Sequence, residues 1–333
     1  MKIVHQQGGS KIAIVEIPQP HPGRGEVVVK TMVSALCGSE MGLYRKDGLA
    51  SGNVGHEAVG MVTEVGEGVD SVTCGDRVGV SAIAGCGTCE ECHHGRFTWC
   101  PDRTFTGNMH AEYILTPARA CQKLPNDVSW EVGALIAADG MGVPYHTSTK
   151  LRHLDVRTMA VLGLGPIGLG TILLHTFLGR TVLGVDRFPE RLALAKKLGA
   201  TVLAADEGVD VPAWLKTQTG GRGPDVCVEA AGVPATVHTC FNSVRKGGTV
   251  VLNGEQQAPV GLSPSEDFIR RDITAVGSWY YHFCEFPEIL NLYRKGLAVE
   301  SIITHRFPLS DAAEAFRIMA EGKSGKVLLI QTA

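Results

Sequence analysis

The sequence predicts an α/β protein of two domains, one β-rich and one built on a doubly wound parallel sheet. Three observations predict it. At 333 residues the chain is too long for one ordinary core. Roughly its first 135 residues are short β-branched runs closely punctuated by glycine and proline. After about residue 140, strand-like apolar runs alternate with helical stretches, the spacing of a parallel sheet with crossover helices.

In the β-rich part, Glu26–Lys30 and Ala58–Val65 read as strands, and Gly75–Val80 as a turn entering another. Pro18, Pro20, Pro22, Gly23 and Gly25 interrupt any helical period. In the second part, Thr158–Leu162 is a buried-strand pattern, followed by a helix from Ile167 towards Leu178. Thr181–Val185 is the next strand, and Glu190–Leu198 a helix stopped by Gly199. Further strands fall at Val226–Glu229, Thr249–Leu252 and Ile273–Val276. A helix around Asp311–Glu321 and a strand at Lys326–Ile330 close the chain.

Composition narrows the function. A hydrophobic fraction of 44% with 20% charged residues describes a soluble globular protein. A net charge of -3 gives no electrostatic case for nucleic acid or an anionic membrane, and 6% aromatics offer no stacking platform. The N-terminus lacks the apolar core of a signal peptide, and no apolar run approaches the ~18 residues of a membrane span. A cytoplasmic location with reduced cysteines is therefore expected. Cys74, Cys121, Cys227, Cys240 and Cys284 are scattered and read as fillers of small apolar gaps.

Four cysteines behave differently. Cys86, Cys89, Cys92 and Cys100 follow C-x2-C-x2-C-x7-C. Such tight spacing brings four soft ligands onto one zinc ion, and four thiolates leave no open position, so the site is structural. Two disulfides are the alternative, and a reduced compartment disfavours them.

Gly163-Leu-Gly165-Pro166-Ile167-Gly168 is a G-x-G-x-x-G run between a predicted strand and a predicted helix. In that context the first glycine makes the turn, the second admits a pyrophosphate and the third permits close helix packing. The helix N-terminus offers N–H groups to the phosphates. Asp186 ends the next strand, 23 residues past Gly163, where a carboxylate accepts from ribose hydroxyls and repels a 2′-phosphate. Adjacent Arg187 is able to pair with that phosphate, yet the balance favours NAD over NADP.

Three further segments carry zinc-binding residue types: Cys37-Gly-Ser39, Gly55-His56-Glu57 and Asp139. Singly each has an ordinary explanation, as a small buried residue, a satisfied core histidine and a helix cap.

Their order, with the four-cysteine cluster and the glycine-rich turn, resembles the zinc-dependent medium-chain alcohol dehydrogenases. Cys-Gly-Ser (37–39), Gly-His-Glu (55–57), Gly-Asp-Arg-Val (75–78) and Ala-Glu-Tyr (111–113) match, and the match runs from about Glu26 to Ile330. Gly277–Tyr280 and Ile303–Phe307 look most like the threonine- and polyol-dehydrogenase-like branch. The resemblance implies a GroES-like, partly open β-barrel catalytic domain (1–140 and 283–333) and a Rossmann cofactor domain (141–282). It implies that Cys37, His56 and Asp139 bind a catalytic zinc beside the structural one, and that Glu57 ligates during exchange. It also implies that Ser39 takes the substrate proton and that Arg191 helps Asp186 hold the adenosine ribose. The expected reaction is hydride transfer between NAD and a secondary alcohol or ketone of a small polar substrate. An NADP-dependent reductase or a catalytically silent dinucleotide-binding protein are the alternatives.

One departure stands out. Many relatives place a relay histidine where this chain has Gly42. Tyr44 is a substitute to consider, and Glu40, replacing an aspartate, reads as structural. His93 and His94 read as surface residues of the cysteine loop, while His110, His146, His282 and His305 are not separated by sequence. Relatives form dimers or tetramers, and an edge strand near Trp279–Tyr281 would serve a homo-oligomer.

Overall fold

The computed structural model describes residues 1–331. Strands β1 (Lys2–Gly8) and β2 (Lys11–Glu16) form a hairpin whose turn uses left-handed Gly9 and Ser10. β3 (Glu26–Ala35) is valine-rich and buried along most of its length. Helix α1 (Met41–Arg45) follows, then β4 (Glu57–Val65), β5 (Arg77–Ser81), two-residue β6 (Ile83–Ala84) and helix α2 (Glu90–His93). Two-residue β7 (Thr104–Phe105), β8 (Tyr113–Pro117), β9 (Cys121–Lys123), helix α3 (Trp130–Ile136) and helix α4 (Asp139–Thr149) complete this stretch.

The second stretch alternates strand and helix as expected. β10 (Thr158–Leu162), α5 (Pro166–Phe177), β11 (Thr181–Asp186), α6 (Pro189–Lys197) and β12 (Thr201–Ala204) come first. Then come α7 (Val211–Thr217), β13 (Val226–Glu229), α8 (Pro234–Ser243), β14 (Thr249–Leu252) and β15 (Thr274–Gly277). The chain ends with α9 (Phe286–Arg294), β16 (Ile303–Pro308), α10 (Ala312–Ala320) and β17 (Lys326–Ile330).

Two compact units result. One joins Met1–Gly142 to Tyr280–Ala333, of which Thr332 and Ala333 lie outside the described residues; the other is Val143–Trp279. In the first, a seven-stranded sheet runs β16-β17-β3-β4-β5-β9, with β8 also on β3. All its pairs are antiparallel except β16 with β17. Val27, Val29, Val62 and Ile114 form one core, and Leu36, Phe316, Val327 and Leu329 another. In the second unit six strands run β12-β11-β10-β13-β14-β15, all parallel. That order reverses direction at β10, the switch point where such sheets bind dinucleotides.

Trp279–Tyr281 does not form the expected edge strand. The edge is β15, and Tyr280 and Tyr281 are instead buried in the first unit's core, Tyr280 with a left-handed φ of 55°. Each phenol is satisfied there: Tyr280 Oη accepts from Ala82 N at 3.0 Å, and Tyr281 Oη donates to Ala137 O at 2.6 Å. Their burial returns the chain to the first unit at Tyr280 rather than at 283. Cys121, Cys227 and Cys240 are buried, whereas Cys74 and Cys284 are exposed and fill no gap. Among the described residues no helix is long and apolar enough to cross a membrane.

Asp225 ties the amino ends of two parallel strands together. Its Oδ2 accepts from Arg157 N, Thr158 N and Thr158 Oγ1 at 2.8 to 3.0 Å, and Oδ1 from Arg245 Nε at 2.7 Å. Burial opposes its charge, but these donors win and bring the carboxyl down to about 2. A depressed folded pKa adds stability that is present above the unfolded carboxyl pKa and lost as pH falls through the folded one. Asp225→Asn is therefore expected to cost about 2 kcal/mol at neutral pH. Urea unfolding of the variant should also lose the wild-type decline in stability between roughly pH 4 and pH 2.

Candidate functional site

The register of β3 brings one cluster together. Ser34 pairs with Ala58 on β4, and Ala35 with Leu328 on β17. Cys37, just past the end of β3, thus meets His56 and Glu57 at the start of β4 and Lys326 at the start of β17. Asp139 arrives as the first residue of α4. Cys37, His56, Glu57 and Asp139 are all buried, with one ligand atom of each within 4.8 Å of the others.

The donors are oriented inward. His56 Nδ1 donates to Val54 O at 2.8 Å, since a carbonyl only accepts, so Nε2 faces Asp139 Oδ2 at 3.2 Å. Cys37 Sγ lies 3.7 Å from the same oxygen. Asp139 Oδ1 and Glu57 Oε2 are buried without a hydrogen-bond partner. Buried, unpaired carboxylate oxygens are costly, and a cation between them removes that cost. Thiolate, imidazole and carboxylate are a donor set suited to zinc.

The electrostatics agree. Burial disfavours charge on the His56 ring, yet Cys37 and Asp139 hold its pKa well above the ordinary value. Burial also drives Glu57 up to about 7, against the pull of Lys326. Lys326 is fully buried with its ammonium on Glu57 Oε1, and despite burial Glu57 and Cys37 hold its pKa above normal. Acidic neighbours thus raise His56 and Lys326 against burial, whereas for Glu57 burial itself raises the pKa and Asp139 adds to it.

Sequence reading missed Lys326. It lies 269 residues from Glu57 and reads as the first residue of a strand. It also left His110 unassigned, although this ring is fully buried and bonded to Glu40. His282 instead bonds Thr98 Oγ1, His305 bonds Thr304 Oγ1, and His146 is buried in α4. Ser39 is exposed in the short 3-10 helix after Cys37. Tyr44 is buried in an apolar core with its ring 5.4 Å from that of Phe316.

Cys86, Cys89, Cys92 and Cys100 form the second cluster, again within 4.8 Å and with every thiol free. Tetrahedral zinc with Zn–S bonds of about 2.3 Å separates sulfurs by about 3.8 Å. Cys86 and Cys92 sulfurs are 3.9 Å apart, and those of Cys89 and Cys92 3.5 Å. His93 and His94 point to solvent as exposed residues.

In the second unit the glycine-rich turn joins β10 to α5. Gly163 has φ 94°, and a Cβ there would strike Ala231 N at 2.6 Å. A Cβ on Gly168 would lie 2.0 Å from Gly163 O, so helix and turn touch. A Cβ on Gly165 would instead meet nothing closer than Arg191 Nη1 at 4.0 Å, which is open space suited to a phosphate. Pro166 and Ile167 form the first turn of α5 behind it. Asp186 Oδ2 accepts from Leu164 N, and Oδ1 from Arg187 N and Phe188 N, at 2.6 to 3.0 Å. A carboxylate has about four acceptor positions, so roughly one remains for a ribose hydroxyl. Arg187 and Arg191 both place their guanidinium carbons 5.0 Å from the Phe188 ring centroid.

Comparisons with known proteins identify the family. Residues 23–126 match the alcohol dehydrogenase GroES-like domain and residues 166–295 the zinc-binding dehydrogenase domain. L-threonine 3-dehydrogenase of Bacillus velezensis is 30% identical, covering 98% of each chain. D-arabitol-phosphate dehydrogenase of Enterococcus avium is 29% identical over 99% of this chain and 97% of that protein. The solved alcohol dehydrogenase TADH from Thermus sp. ATN1 superposes with a TM-score of 0.90 at 29% identity, covering 100% of both chains. The chain belongs to the zinc-type medium-chain alcohol dehydrogenase family, oxidoreductases acting on CH–OH groups.

Removing one member of a buried ion pair strands the other. Lys326→Met is expected to lower stability by about 3 kcal/mol in denaturant unfolding of the zinc-loaded protein. Adding Glu57→Gln should recover part of that loss, because the unpaired charge is gone.

Proposed function

We propose, from this membership, that the chain carries out NAD-dependent oxidation of a secondary alcohol in a small polar substrate, and the reverse reduction. The observation that carries this reading is Asp139 Oδ1, buried and unpartnered in a cage with Cys37, His56 and Glu57. Cys37, His56 and Asp139 would hold a zinc ion, with Glu57 beside them as an additional ligand during exchange. When bound, zinc supplies Lewis acidity that lowers the pKa of the substrate hydroxyl.

Ser39 Oγ accepts the hydroxyl proton. Its exposure lets that proton leave to water, which answers the lack of a relay histidine at Gly42. A bound nicotinamide would supply the hydride acceptor for the substrate carbon and bear the redox change. The N–H groups opening α5 hold the pyrophosphate, with Gly165 leaving the approach clear. Asp186 takes one ribose hydroxyl and repels a 2′-phosphate, so NAD is preferred. Arg187 and Arg191, laid against Phe188, flank the adenosine end. The four-cysteine cluster would hold a second, structural zinc.

The named activities of the relatives, on L-threonine and D-arabitol phosphate, support a polyol, sugar-alcohol or amino-alcohol substrate. A homodimer or homotetramer forming through the edge strand β15, and a cytoplasmic location in keeping with ten free thiols, complete the reading.

NADH formation across polyols, sugar alcohols, amino alcohols and simple secondary alcohols tests it, with Cys37→Ser alongside. One substrate class should be oxidised with NAD, and the variant should fall by more than about a hundredfold, beyond the loss typical of supporting residues. Activity with NADP alone would overturn the cofactor assignment. Bound NAD and zinc without turnover of any substrate would favour a silent dinucleotide-binding protein.

A further inference from the structure

A second layer of buried polar groups stands behind the Cys37–His56 cage. Glu40 Oε1 accepts from Cys37 N at 2.8 Å, closing the short helix that follows this cysteine. Its other oxygen, Oε2, bonds His110 Nε2 at 2.9 Å, and His110 Nδ1 bonds Ser34 Oγ at 2.9 Å. Glu40, His110 and Ser34 are each 0% exposed, so all three must satisfy one another without water. Ser34 is itself on β3, three residues before Cys37.

The same histidine also abuts the other ligand segment. A Cβ on Gly55 would lie 2.5 Å from His110 Cδ2, so the imidazole rests directly on the peptide that precedes His56. Asn53 Oδ1 reinforces the contact by accepting from Gly55 N at 3.0 Å and His110 N at 3.3 Å. Met109 N donates to Gly55 O at 3.1 Å. The far edge of the ring meets Phe316 edge-on at 5.9 Å. The ring is held on every side.

We infer that Glu40 and His110 are positioning residues that set the distance between Cys37 and His56, and through it the grip of the cage on its metal. The physical reason is that Cys37 and His56 sit on different loops: their side chains interact at the tips that face the cage, whereas Glu40 and His110 act on the backbone behind each of them. Zinc affinity depends on both donors being presented at once, and each loop alone has rotational freedom past its strand end. Glu40–His110 spans that gap with a bond to one loop and a steric stop on the other. Gly55 is then required as glycine because the ring occupies the side-chain position.

The inference rests on the proposed reading of Cys37, His56 and Asp139 as a zinc cage, and the test separates the two. Zinc release from the loaded protein to a chromophoric chelator would be followed for wild type, His110→Phe, Glu40→Ala and Glu40→Gln. The thiolate-to-metal band of the cobalt-substituted proteins would be recorded in parallel. Cys37→Ser isolates the cage's share of both signals from that of the four-cysteine cluster.

His110→Phe and Glu40→Ala should speed release from the cage about tenfold to a hundredfold and shift the cobalt band. Glu40→Gln keeps an acceptor for Cys37 N and a donor for His110, and should stay close to wild type. Folded His110→Phe with wild-type release and an unmoved band would overturn the inference, as would Glu40→Gln behaving like Glu40→Ala. If both drastic variants fail to fold, Ser34→Ala, which removes only the outer bond, should still raise release in the same direction; no change there counts against it. Wild-type protein with no cobalt band beyond that of Cys37→Ser would instead overturn the cage itself.

Discussion

The first unit's chemistry depends on the double pairing of β3. One edge of this strand carries β4 and the other carries β8 and then β17. A strand's side chains alternate faces, so a slip of one residue on either edge would send Glu57 or Lys326 to the wrong side. With the register as it is, Cys37, His56, Glu57 and Lys326 converge from three strand ends at one level. Valines on β3 buried to 0% exposure hold that register, because slipping them would also expose the core.

Convergence has an electrostatic consequence. A thiol, two carboxylates and an imidazole share a space from which water is excluded. Stripping water from such groups costs several kcal/mol each unless the charges are matched. Lys326 supplies one matching charge, and a dication in the proposed cage would supply the rest. The buried lysine is thus as much part of the site as the ligands, through its ion pair with Glu57.

The two clusters of candidate ligands illustrate opposite ways of building a site. Cys86, Cys89, Cys92 and Cys100 lie within fifteen residues, on a loop closed by the one-turn helix α2. Local chain geometry suffices to gather them. Cys37, His56 and Asp139 span more than a hundred residues, and only the assembled sheet and α4 gather them. The dinucleotide turn is intermediate. Its glycines are local, but the reasons for two of them, contact with Ala231 and with Gly163 O, come from the loop after β13 and from the packing of α5.

This division explains what was legible. The alternation of strands and helices after residue 140, the glycine-rich turn and the four-cysteine cluster follow short-range rules of period, turn chemistry and ligand spacing, and all are visible in sequence. Tyr280 and Tyr281 misled, since aromatic runs favour strands, and it was long-range burial that drew them out of the sheet. The burial of Tyr44 against Phe316 was likewise invisible in sequence, because it depends on a contact far along the chain. Lys326 and His110 carry no local signal at all, because a charge or an imidazole acquires its role only from what faces it. By itself the sequence determined the fold class, the turn and the thiol cluster, which depend on neighbours along the chain. Tertiary structure alone decided which acid faces which base around the cage, because burial and strand register, not sequence distance, set those partners.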